Sequence, residues 1–417
     1  MSSPNILISG SGIAGSVFAF WLLRAHPNAN ITIVERDAAL RLTGASVDIR
    51  STAVDIIKWM GAEQEIRNST TKEEGVQFVR PNGNPVATIR ATGRSDIQSI
   101  TSEFEIFRGA LAKIFINPII NQVKLIFGES VDHFEQHDDG VVVTFTKSKE
   151  VKKYDLLVAA DGLRSKIRGT ILNTKPEEQL FDEGSHVAFF TIKSDLLQGS
   201  RLAKWYNTTG GRVVFLRPDP DPAGRTRVNL MNVTTSGDIE AKERLNKALR
   251  EGNESYMKLM EELFHDAGGM APEVLQGMRE SDDFYCSLFA QIRSPKLQVG
   301  RVVLLGDSGY ATPGFGTSLA IIGGYVLAGE LLSHPGDVKT ALERYEGLMQ
   351  PFVKGSQGGS NAMQLLNPQT QWGIRVRDAV LGFVTGARLD RIAITAASVL
   401  GFKERKISLP DYPWPAT

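Results

Sequence analysis

Three glycines near the start of the sequence have the spacing of a phosphate-binding turn. Gly10, Gly12 and Gly15 follow a short apolar run and open an apolar helical pattern, in the order G-x-G-x-x-G. The first glycine permits a tight turn, the second lets a pyrophosphate approach the backbone, and the third lets helix and strand pack closely. A helix that begins here points unpaired N–H groups and a partial positive charge at the phosphates.

Glu35 adds a second element of this pattern. It ends the next predicted strand, where a carboxylate can accept hydrogen bonds from an adenosine ribose. Strand, turn, helix and acid together predict a dinucleotide site, and the alternative is a tight structural turn with a solvated glutamate. The pattern alone does not distinguish NAD from FAD.

Two further aspartates follow buried-type strands. Asp161 lies in YDLLVAADG and Asp307 in VVLLGDSG, each next to a glycine. Carboxylates at the carboxyl ends of strands in an open sheet face the ligand crevice. FAD has a ribityl chain whose hydroxyls need acceptors there and NAD has none, so FAD is favoured. The alternatives are a helix N-cap for Asp307 and a turn-stabilising carboxylate for Asp161.

A second glycine-rich turn follows Asp307. Gly314 and Gly316 allow the backbone to come close to a flat ring, and a small-residue helical pattern begins near Thr317. We expect this helix to direct N–H groups at the pyrimidine edge of a flavin. Whether Thr317 and Ser318 contribute side chains or only backbone is left open by the sequence.

The order of elements that must position these residues is interleaved. Residues 5–36 predict a βαβ unit and therefore a parallel, buried sheet. Hairpin patterns interrupt after this single unit, 184–234 is almost entirely β, and 240–265 and the last 70 residues are mostly helical. This order predicts an α/β fold with a Rossmann-like FAD-binding domain interleaved with a β-sheet substrate domain, plus a helical C-terminal region. The expected boundaries are 1–75, 105–180 and 285–345 for the FAD-binding domain, 76–104 and 181–284 for the substrate domain, and 346–417 for the helical region.

Composition excludes several classes of protein. The 417 residues are 42% hydrophobic and 23% charged with a net charge of zero, so no basic field indicates a nucleic-acid partner or an anionic membrane surface. Cys286 is the only cysteine, which fits a reducing compartment, and we expect a cytoplasmic protein without a signal peptide or membrane span. The oligomeric state is not determined by the sequence.

The three motifs together resemble a known family. Gly10-Ser-Gly-Ile-Ala-Gly15, Asp161-Gly162 and Gly306-Asp307 occur in the order and rough spacing of the class A FAD-dependent aromatic hydroxylases, which have the para-hydroxybenzoate hydroxylase fold. The likeness spans about residues 5–350. The stretches RLTGASVDIR and GTSLAIIGGYVLAGEL are most similar to tetracycline-inactivating and natural-product tailoring monooxygenases.

The resemblance implies roles for individual residues. Asp307 would bind the ribityl hydroxyls, Glu35 the adenosine ribose, and Arg108 the phosphate and ribityl region of FAD. Asp48 would line the flavin pocket, and Arg41 would be associated with NADPH. Arg36, next to Glu35, is a further position implied in cofactor contacts. Asp161, with Arg164 and Arg168 behind it, resembles a motif that shapes both the FAD contact and a transient NADPH groove.

One departure concerns the second turn. Family members often carry Asn or Gln where this chain has Thr317-Ser318, and an acidic residue one turn further on, where it has Ile321 and Ile322. Backbone contacts would survive these changes, whereas side-chain contacts near the flavin ring would differ.

The resemblance also implies an activity. NADPH or NADH would reduce FAD, O2 would add to form a C4a-hydroperoxide, and one oxygen atom would enter an aromatic or polyketide-like small molecule. Baeyer–Villiger oxidation, epoxidation and dehydrogenation by the same fold stay open, as does a non-catalytic dinucleotide-binding protein. No second G-x-G-x-x-G unit provides a dedicated NADPH domain.

The sequence contains no metal-ligand spacing or nucleophile triad, and it identifies no catalytic acid or base. The chemistry of such an enzyme resides in its cofactor, and the protein supplies geometry and water exclusion. The residues that could line a substrate pocket are His186, Trp205, Tyr206, Asn229 and Met231.

Overall fold

The computed structural model describes residues 3–41, 44–90, 104–221, 224–358, 362–387 and 408–415. Within the expected domains, 91–103 of the substrate part and 388–407 of the helical region therefore lie outside the described residues.

Strands and helices alternate along the chain in an interleaved order. The strands are β1 (Asn5–Ser9), β2 (Asn30–Glu35), β3 (Ser46–Asp48), β4 (Gly75–Val79), β5 (Pro85–Arg90), β6 (Glu105–Phe107), β7 (Lys124–Phe127), β8 (Val131–His137), β9 (Gly140–Phe145), β10 (Val151–Tyr154), β11 (Leu156–Ala159), β12 (Leu180–Ile192), β13 (Leu202–Thr208), β14 (Arg212–Pro218), β15 (Thr226–Val233), β16 (Tyr285–Ile292), β17 (Gln298–Val299) and β18 (Val302–Leu304). The helices are α1 (Ile13–Ala25), α2 (Thr52–Trp59), α3 (Glu63–Asn68), α4 (Arg108–Ile116), α5 (Lys166–Leu172), α6 (Ile239–Glu251), α7 (Asn253–Phe264), α8 (Ala271–Arg279), α9 (Asp307–Tyr310), α10 (Gly316–Ser333), α11 (Val338–Ser356), α12 (Ala362–Leu366) and α13 (Gln371–Gly386), with a 3-10 turn at Asn117–Ile119.

A six-stranded sheet carries the two glycine turns. Its order is β17-β18-β11-β1-β2-β7, and all neighbours are parallel except β17 with β18. Its central strands are buried on both faces because helices cover one side and a three-stranded sheet, β10-β9-β8, covers the other. Ile8 packs toward the helices and Leu7 toward the small sheet. This is the parallel, two-sided burial that the apolar runs predict.

Helices α1 and α10 pack tightly together across the helical side of this sheet. A Cβ on Gly324 would lie 2.9 Å from the Phe18 nitrogen, so the two helices approach this closely only because Gly324 has no side chain. Helix α10 is long and apolar enough to cross a membrane by length and composition, and 78% of it is buried inside the protein. Such burial is typical of a core helix.

A seven-stranded sheet forms the other half of the molecule, in the order β16-β12-β15-β14-β13-β4-β5. The hairpin of β4 and β5 joins it through a parallel pairing of β4 with β13, although more than 100 residues separate these strands. Strand β16 also belongs to this sheet, pairing with β12. Residues 285–292 therefore lie with the seven-stranded sheet, whereas the expected boundary grouped them with the FAD-binding part.

The two faces of the seven-stranded sheet have different coverings. One face packs against α6, α7 and α8, and the other against α12, α13 and the segment before β3. Since side chains alternate along a strand, Trp205 and Tyr206 point to opposite faces.

Candidate functional site

The three glycines after β1 have three different surroundings. Gly10 has a φ of +114°, and a Cβ there would lie 2.3 Å from the Ala160 carbonyl oxygen. A Cβ on Gly15 would lie 2.3 Å from the Gly10 oxygen, so α1 can begin this close to β1 only without a side chain. A Cβ on Gly12 would meet no described atom within 4 Å. The turn therefore leaves open space at Gly12, while the other two glycines are required by the fold.

Glu35 is held beside this turn by a residue that the motif does not specify. Its Oε2 accepts hydrogen bonds from the Ser11 backbone N–H at 3.1 Å and from the Ser11 hydroxyl at 2.9 Å. Its Oε1 accepts from the Asp37 N–H at 3.1 Å. Ser11 occupies an unspecified position of G-x-G-x-x-G, so the spacing gave no signal for it.

Asp161 follows β11 and is the second of the predicted strand-end carboxylates. Its Oδ1 is buried and has no hydrogen-bond partner among the described residues. Burial raises the pKa of Asp161 to about 6, against the lowering effects of the Ser165 hydroxyl and the Arg168 guanidinium. A buried acceptor without a partner is uncommon, and a ligand hydroxyl would satisfy it.

Arg168 does not line a solvent groove, contrary to what the resemblance implied. It is fully buried and donates to the carbonyl oxygens of Ser308 at 2.7 Å, Leu163 at 3.0 Å and Pro176 at 2.6 Å. It thus clamps the turn after β11 to the turn after β18. Arg164 is exposed.

Asp307 begins α9, is separated from the end of β18 by Leu305 and Gly306, and is half-buried. A Cβ on Gly306 would lie 2.7 Å from the Ala14 Cβ in the first turn of α1, so the two glycine turns touch. A Cβ on Gly316 would lie 3.3 Å from Asp307 Oδ1, which places this carboxylate beside the start of α10. Two turns about 300 residues apart in sequence therefore form one surface.

The second turn combines open backbone with one anchored hydroxyl. Gly314 has a φ of +77°, and a Cβ there would meet no described atom within 4 Å. Ser318 is fully buried and its Oγ accepts from the Arg50 N–H at 2.9 Å, while Thr317 is half-buried. The side chain of Ser318 therefore fixes the segment after β3 against α10, which begins at Gly316 without an acidic residue in its first turn.

Asp48 and Arg108 lie on neighbouring elements next to this segment. Strand β3, which ends at Asp48, pairs with β6, and α4 begins at Arg108 immediately after β6. The Asp48 carboxylate pairs with the Arg50 guanidinium. The Arg108 N–H donates to the Ala45 oxygen at 3.0 Å, and its side chain passes 3.9 Å from the position of a Cβ on Gly44.

The two other predicted arginines occupy different surroundings. Arg36 is exposed, and its guanidinium lies 3.9 Å from the Asp37 carboxylate. The guanidinium of Arg41 lies 4.8 Å from the ring centroid of Tyr285 on β16, a cation–π distance. Arg41 thus contacts the seven-stranded sheet, whereas Arg36 stays near Glu35.

The five residues considered for a substrate pocket divide between the two faces of the seven-stranded sheet. His186 and Tyr206 face α6–α8, where His186 lies 3.1 Å from Asn246 Oδ1 and the Tyr206 hydroxyl donates to the Ala267 oxygen. Burial lowers the pKa of His186. These two side chains are therefore packed away from the cofactor turns. The residues on the opposite face are Trp205, Asn229 and Met231.

A small cavity lies where this opposite face meets the segment before β3. Asn229 is the only one of the five candidates on its described lining. The cavity joins the two halves of the molecule because both contribute to its wall. Its lining residues are Gly44, Ser46, Phe107, Phe189, Phe190, Arg227, Val228, Asn229 and Asp283.

A buried ionic network supports this junction, and no local sequence pattern indicates it. Arg217 on β14 pairs with Glu73 at 2.9 Å, and its guanidinium also contacts Glu105 and the Ser46 hydroxyl. The side chains of Arg217, Glu73 and Glu105 are 6%, 1% and 8% exposed. Burial raises the pKa of Glu73 to about 7, against the lowering effect of Arg217. One guanidinium thus serves two buried carboxyl groups.

A second network lies along the cavity wall. Arg227 pairs with Asp219 and, at 3.0 Å, with Asp283, and its guanidinium lies 4.4 Å from the ring centroid of Phe107. Asp283 also accepts from the Thr191 N–H at 2.7 Å. The polar groups of this wall are therefore largely paired with each other.

The strand ends form one elongated site. Glu35, Asp161 and Asp307 follow β2, β11 and β18, whose carboxyl ends meet at one edge of the six-stranded sheet with the glycine turn of β1 between them. This edge offers acceptors on both sides of an anion-binding helix N-terminus. A ligand with a central pyrophosphate, a ribose at one end and a polyol chain at the other fits this arrangement, and FAD has this composition.

Comparison with known proteins gives a consistent result. A family model described as FAD binding domain matches residues 4–354. Monooxygenase CTB7 from Cercospora beticola is 32% identical over 426 residues, covering 99% of this chain and 98% of that protein. FAD-dependent monooxygenase asL4 from Sarocladium schorii is 30% identical over 440 residues, covering 99% of each. The crystal structure of tetracycline destructase Tet(51) superimposes with a TM-score of 0.77 at 27% identity, covering 99% of this chain and all of the other. The chain belongs to the FAD-binding-domain family of flavin-dependent monooxygenases.

Proposed function

We propose that this FAD-dependent monooxygenase uses NADPH or NADH and O2 to insert one oxygen atom into an aromatic or polyketide-like small molecule. The carrying observation is the carboxyl edge of the six-stranded sheet, where the open backbone at Gly12 lies between the Glu35 carboxylate and the buried Asp161 Oδ1, which has no partner among the described residues. The likeness to a tetracycline destructase supports the same substrate class. FAD supplies oxygen activation, through a flavin C4a-hydroperoxide, when it is bound.

We assign the cofactor contacts residue by residue. The open backbone at Gly12 and the N-terminus of α1 hold the pyrophosphate, and Glu35 accepts from the adenosine ribose. Asp307 and the unpaired Oδ1 of Asp161 accept from the ribityl hydroxyls. The backbone at Gly314 and the N-terminus of α10 face the pyrimidine edge of the ring, where the helix stabilises negative charge on the reduced flavin.

Arg108 stands beside the segment before β3 and holds the phosphate and ribityl region, and Asp48 with Arg50 lines the flavin pocket. Arg41, stacked on Tyr285, and the exposed Arg36 are available to the nicotinamide nucleotide. We place the enzyme in the cytoplasm, as the single, buried Cys286 thiol suits a reducing compartment.

The ribityl assignment is tested with Asp307→Ala. We expect FAD occupancy of the purified protein, measured by flavin absorbance, to fall by more than half, because two acceptor oxygens for ligand hydroxyls are removed. The matched control is Asp282→Ala, since Asp282 is 83% exposed and pairs with the surface Lys193. Occupancy unchanged in Asp307→Ala would refute the assignment.

The activity is tested by substrate-stimulated NADPH oxidation over a set of small aromatic compounds, with product masses measured. A product heavier by one oxygen atom supports the proposal. A product lighter by two hydrogens would indicate dehydrogenation instead, and a protein without flavin absorbance after reconstitution would contradict a catalytic role. The position of the new oxygen separates ring hydroxylation from epoxidation or Baeyer–Villiger insertion.

A further inference from the structure

An aromatic cleft lies at the opposite end of α1 from the glycine turn. Trp21 and Arg24 are on the last two turns of α1, roughly 14–18 Å along the helix from Gly12 at a rise of about 1.5 Å per residue. The cleft has a volume of about 490 Å³. Three of the five tryptophans in the chain line it. Its principal lining residues are Trp21, Arg24, Trp59, Tyr325, Asp411 and Trp414.

One wall of the cleft is the C-terminal segment 408–415, which is docked at a defined place on α10. The ring of Tyr412 lies over Gly329, where a Cβ would come within 2.3 Å of it. The Tyr412 hydroxyl donates to the buried Glu330 carboxylate at 2.8 Å, and the Trp414 indole N–H donates to the Tyr325 hydroxyl at 3.2 Å. The wall is therefore held by specific contacts.

The exposure of the aromatic rings increases from the interior of the cleft to its mouth. Trp21 is 1% exposed and its ring centroid lies 4.6 Å from that of Trp414. Trp59 is 49% exposed and lies 5.5 Å from Tyr325. Half-exposed tryptophan beside buried rings leaves an apolar face that a flat ligand can cover.

Two buried donors in this lining have no acceptor in the part of the chain that the structure describes. The Trp21 Nε1 and Arg24 Nε atoms are buried and have no hydrogen-bond partner among the described residues. A buried unpaired donor is costly, and a ligand acceptor removes that cost. Asp411 supplies the complementary group, a carboxylate that accepts hydrogen bonds. The cleft thus combines aromatic faces, two donors and one acceptor.

We propose that this cleft is a second binding site, for planar aromatic compounds that carry both hydroxyl groups and a carbonyl or anionic acceptor. The ligand rings cover the exposed Trp59 and the half-buried Trp414, the ligand acceptor receives hydrogen bonds from Trp21 and Arg24, and the ligand hydroxyl donates to Asp411. The site is separate from the cofactor edge and does not depend on the proposed activity.

The test is calorimetric titration of the FAD-loaded enzyme with 1,2-dihydroxyanthraquinone-3-sulfonate, compared with anthraquinone-2-sulfonate, which lacks the hydroxyls. We expect the dihydroxy probe to bind at least tenfold more tightly to this site. Trp59→Ala and Arg24→Gln should each weaken that binding tenfold or more while FAD occupancy and melting temperature change little. Trp372→Ala is the matched control, because Trp372 is 74% exposed on α13, away from the cleft.

Asp411→Asn tests whether the ligand's hydroxyl groups are recognised. It should reduce the affinity for the dihydroxy probe and leave that for anthraquinone-2-sulfonate unchanged. Probe affinity unaffected by both Trp59→Ala and Arg24→Gln would overturn the proposal by assigning any binding to another site. Equal affinity of the parent enzyme for the two probes would overturn the hydroxylated class.

Discussion

The cofactor edge of the six-stranded sheet and the junction with the seven-stranded sheet use charge in opposite ways. At the edge, Asp161 and Asp307 stand at separate strand ends, and at least one of their oxygens has no partner among the described residues. At the junction, Arg217 gathers Glu73 and Glu105 from 144 and 112 residues away. We propose that the edge offers its acceptors to FAD, whereas the junction pairs its carboxyl groups with an arginine inside the protein.

The junction nevertheless contains more acidic groups than basic ones. Two carboxyl groups share one guanidinium, and Glu73 Oε1 and Glu105 Oε2 have no hydrogen-bond partner in the described part of the chain. Buried charge of this kind is stabilising only while every member stays in place. The comparison therefore predicts that the junction governs stability and the edge governs cofactor binding.

The largest expected effect is at the junction. Arg217→Met leaves two buried carboxyl groups without their cation, and we expect a loss of about 3–5 kcal/mol in the free energy of unfolding. Urea denaturation measures it. The control is Arg279→Met, since Arg279 pairs with Glu254 and Glu261 at the surface and should cost under about 1 kcal/mol. Equal losses in the free energy of unfolding of the two variants would show that the buried network contributes no more to stability than the surface ion pairs.

The next effect separates two glycines of one turn. In Gly10→Ala, the added methyl group would lie 2.3 Å from the Ala160 oxygen, and the residue would have to keep a positive φ. We therefore expect the free energy of unfolding to fall by about 2–4 kcal/mol and FAD to be lost. In Gly12→Ala, the added methyl meets no described atom, so the FAD-free protein should lose less than about 0.5 kcal/mol. FAD affinity should still fall, because the methyl occupies the space left for pyrophosphate. Titration of both FAD-free variants with FAD and their thermal melts separate these effects, and unaltered FAD affinity in Gly12→Ala would contradict a phosphate at this turn.

A smaller effect follows from protonation of Glu73. Its pKa rises from 4.5 to about 7 on folding, so the folded protein binds more protons than the unfolded chain between these values. The contribution of Glu73 therefore lowers the stability of the parent as pH rises from about 5 to 7 and levels off above that range. Glu73→Gln lacks this titration, so its stability relative to the parent should improve by about 1–2 kcal/mol over the same interval.

Denaturation of both proteins at several pH values measures this difference in stability. The charged groups that face Glu73 are Arg217, which lowers its pKa, and Glu105 and Asp48, which raise it. A difference between variant and parent that stays constant from pH 5 to 8 would mean that Glu73 is already ionised in the folded state.

The sequence indicates the cofactor edge because its signals are local. The three glycines, Glu35 and Asp307 each adjoin a strand end, so spacing along the chain determines where they lie. The family, the fold class and FAD were predicted from these residues together with Asp161 and the order of the elements, and they are confirmed. Ser11 was missed because its contacts with Glu35 come from a position that the motif leaves free.

The junction could not be predicted because its partners are distant in sequence. Nothing around Arg217, at the end of an apolar strand, specifies Glu73 or Glu105, and only the pairing of the sheets brings them together. The same limit applies to His186 and Tyr206. The alternation of side chains shows that neighbouring residues on a strand face opposite sides of the sheet. Both faces of the seven-stranded sheet are buried, so the hydrophobic pattern does not tell which face is turned toward the cofactor half.

The smallest effect tests those two faces directly. Tyr206→Phe removes a hydrogen bond to the Ala267 oxygen on the helix-covered face, and we expect a loss of about 1 kcal/mol in stability with kcat/KM unchanged. Asn229→Ala, on the face that lines the cavity, should instead raise KM for the aromatic substrate with little change in stability. Steady-state kinetics and thermal melts of the pair provide the comparison. Were Tyr206→Phe to alter KM and Asn229→Ala only stability, the substrate would have to lie on the helix side, and the small cavity would be a packing defect between the two halves of the molecule.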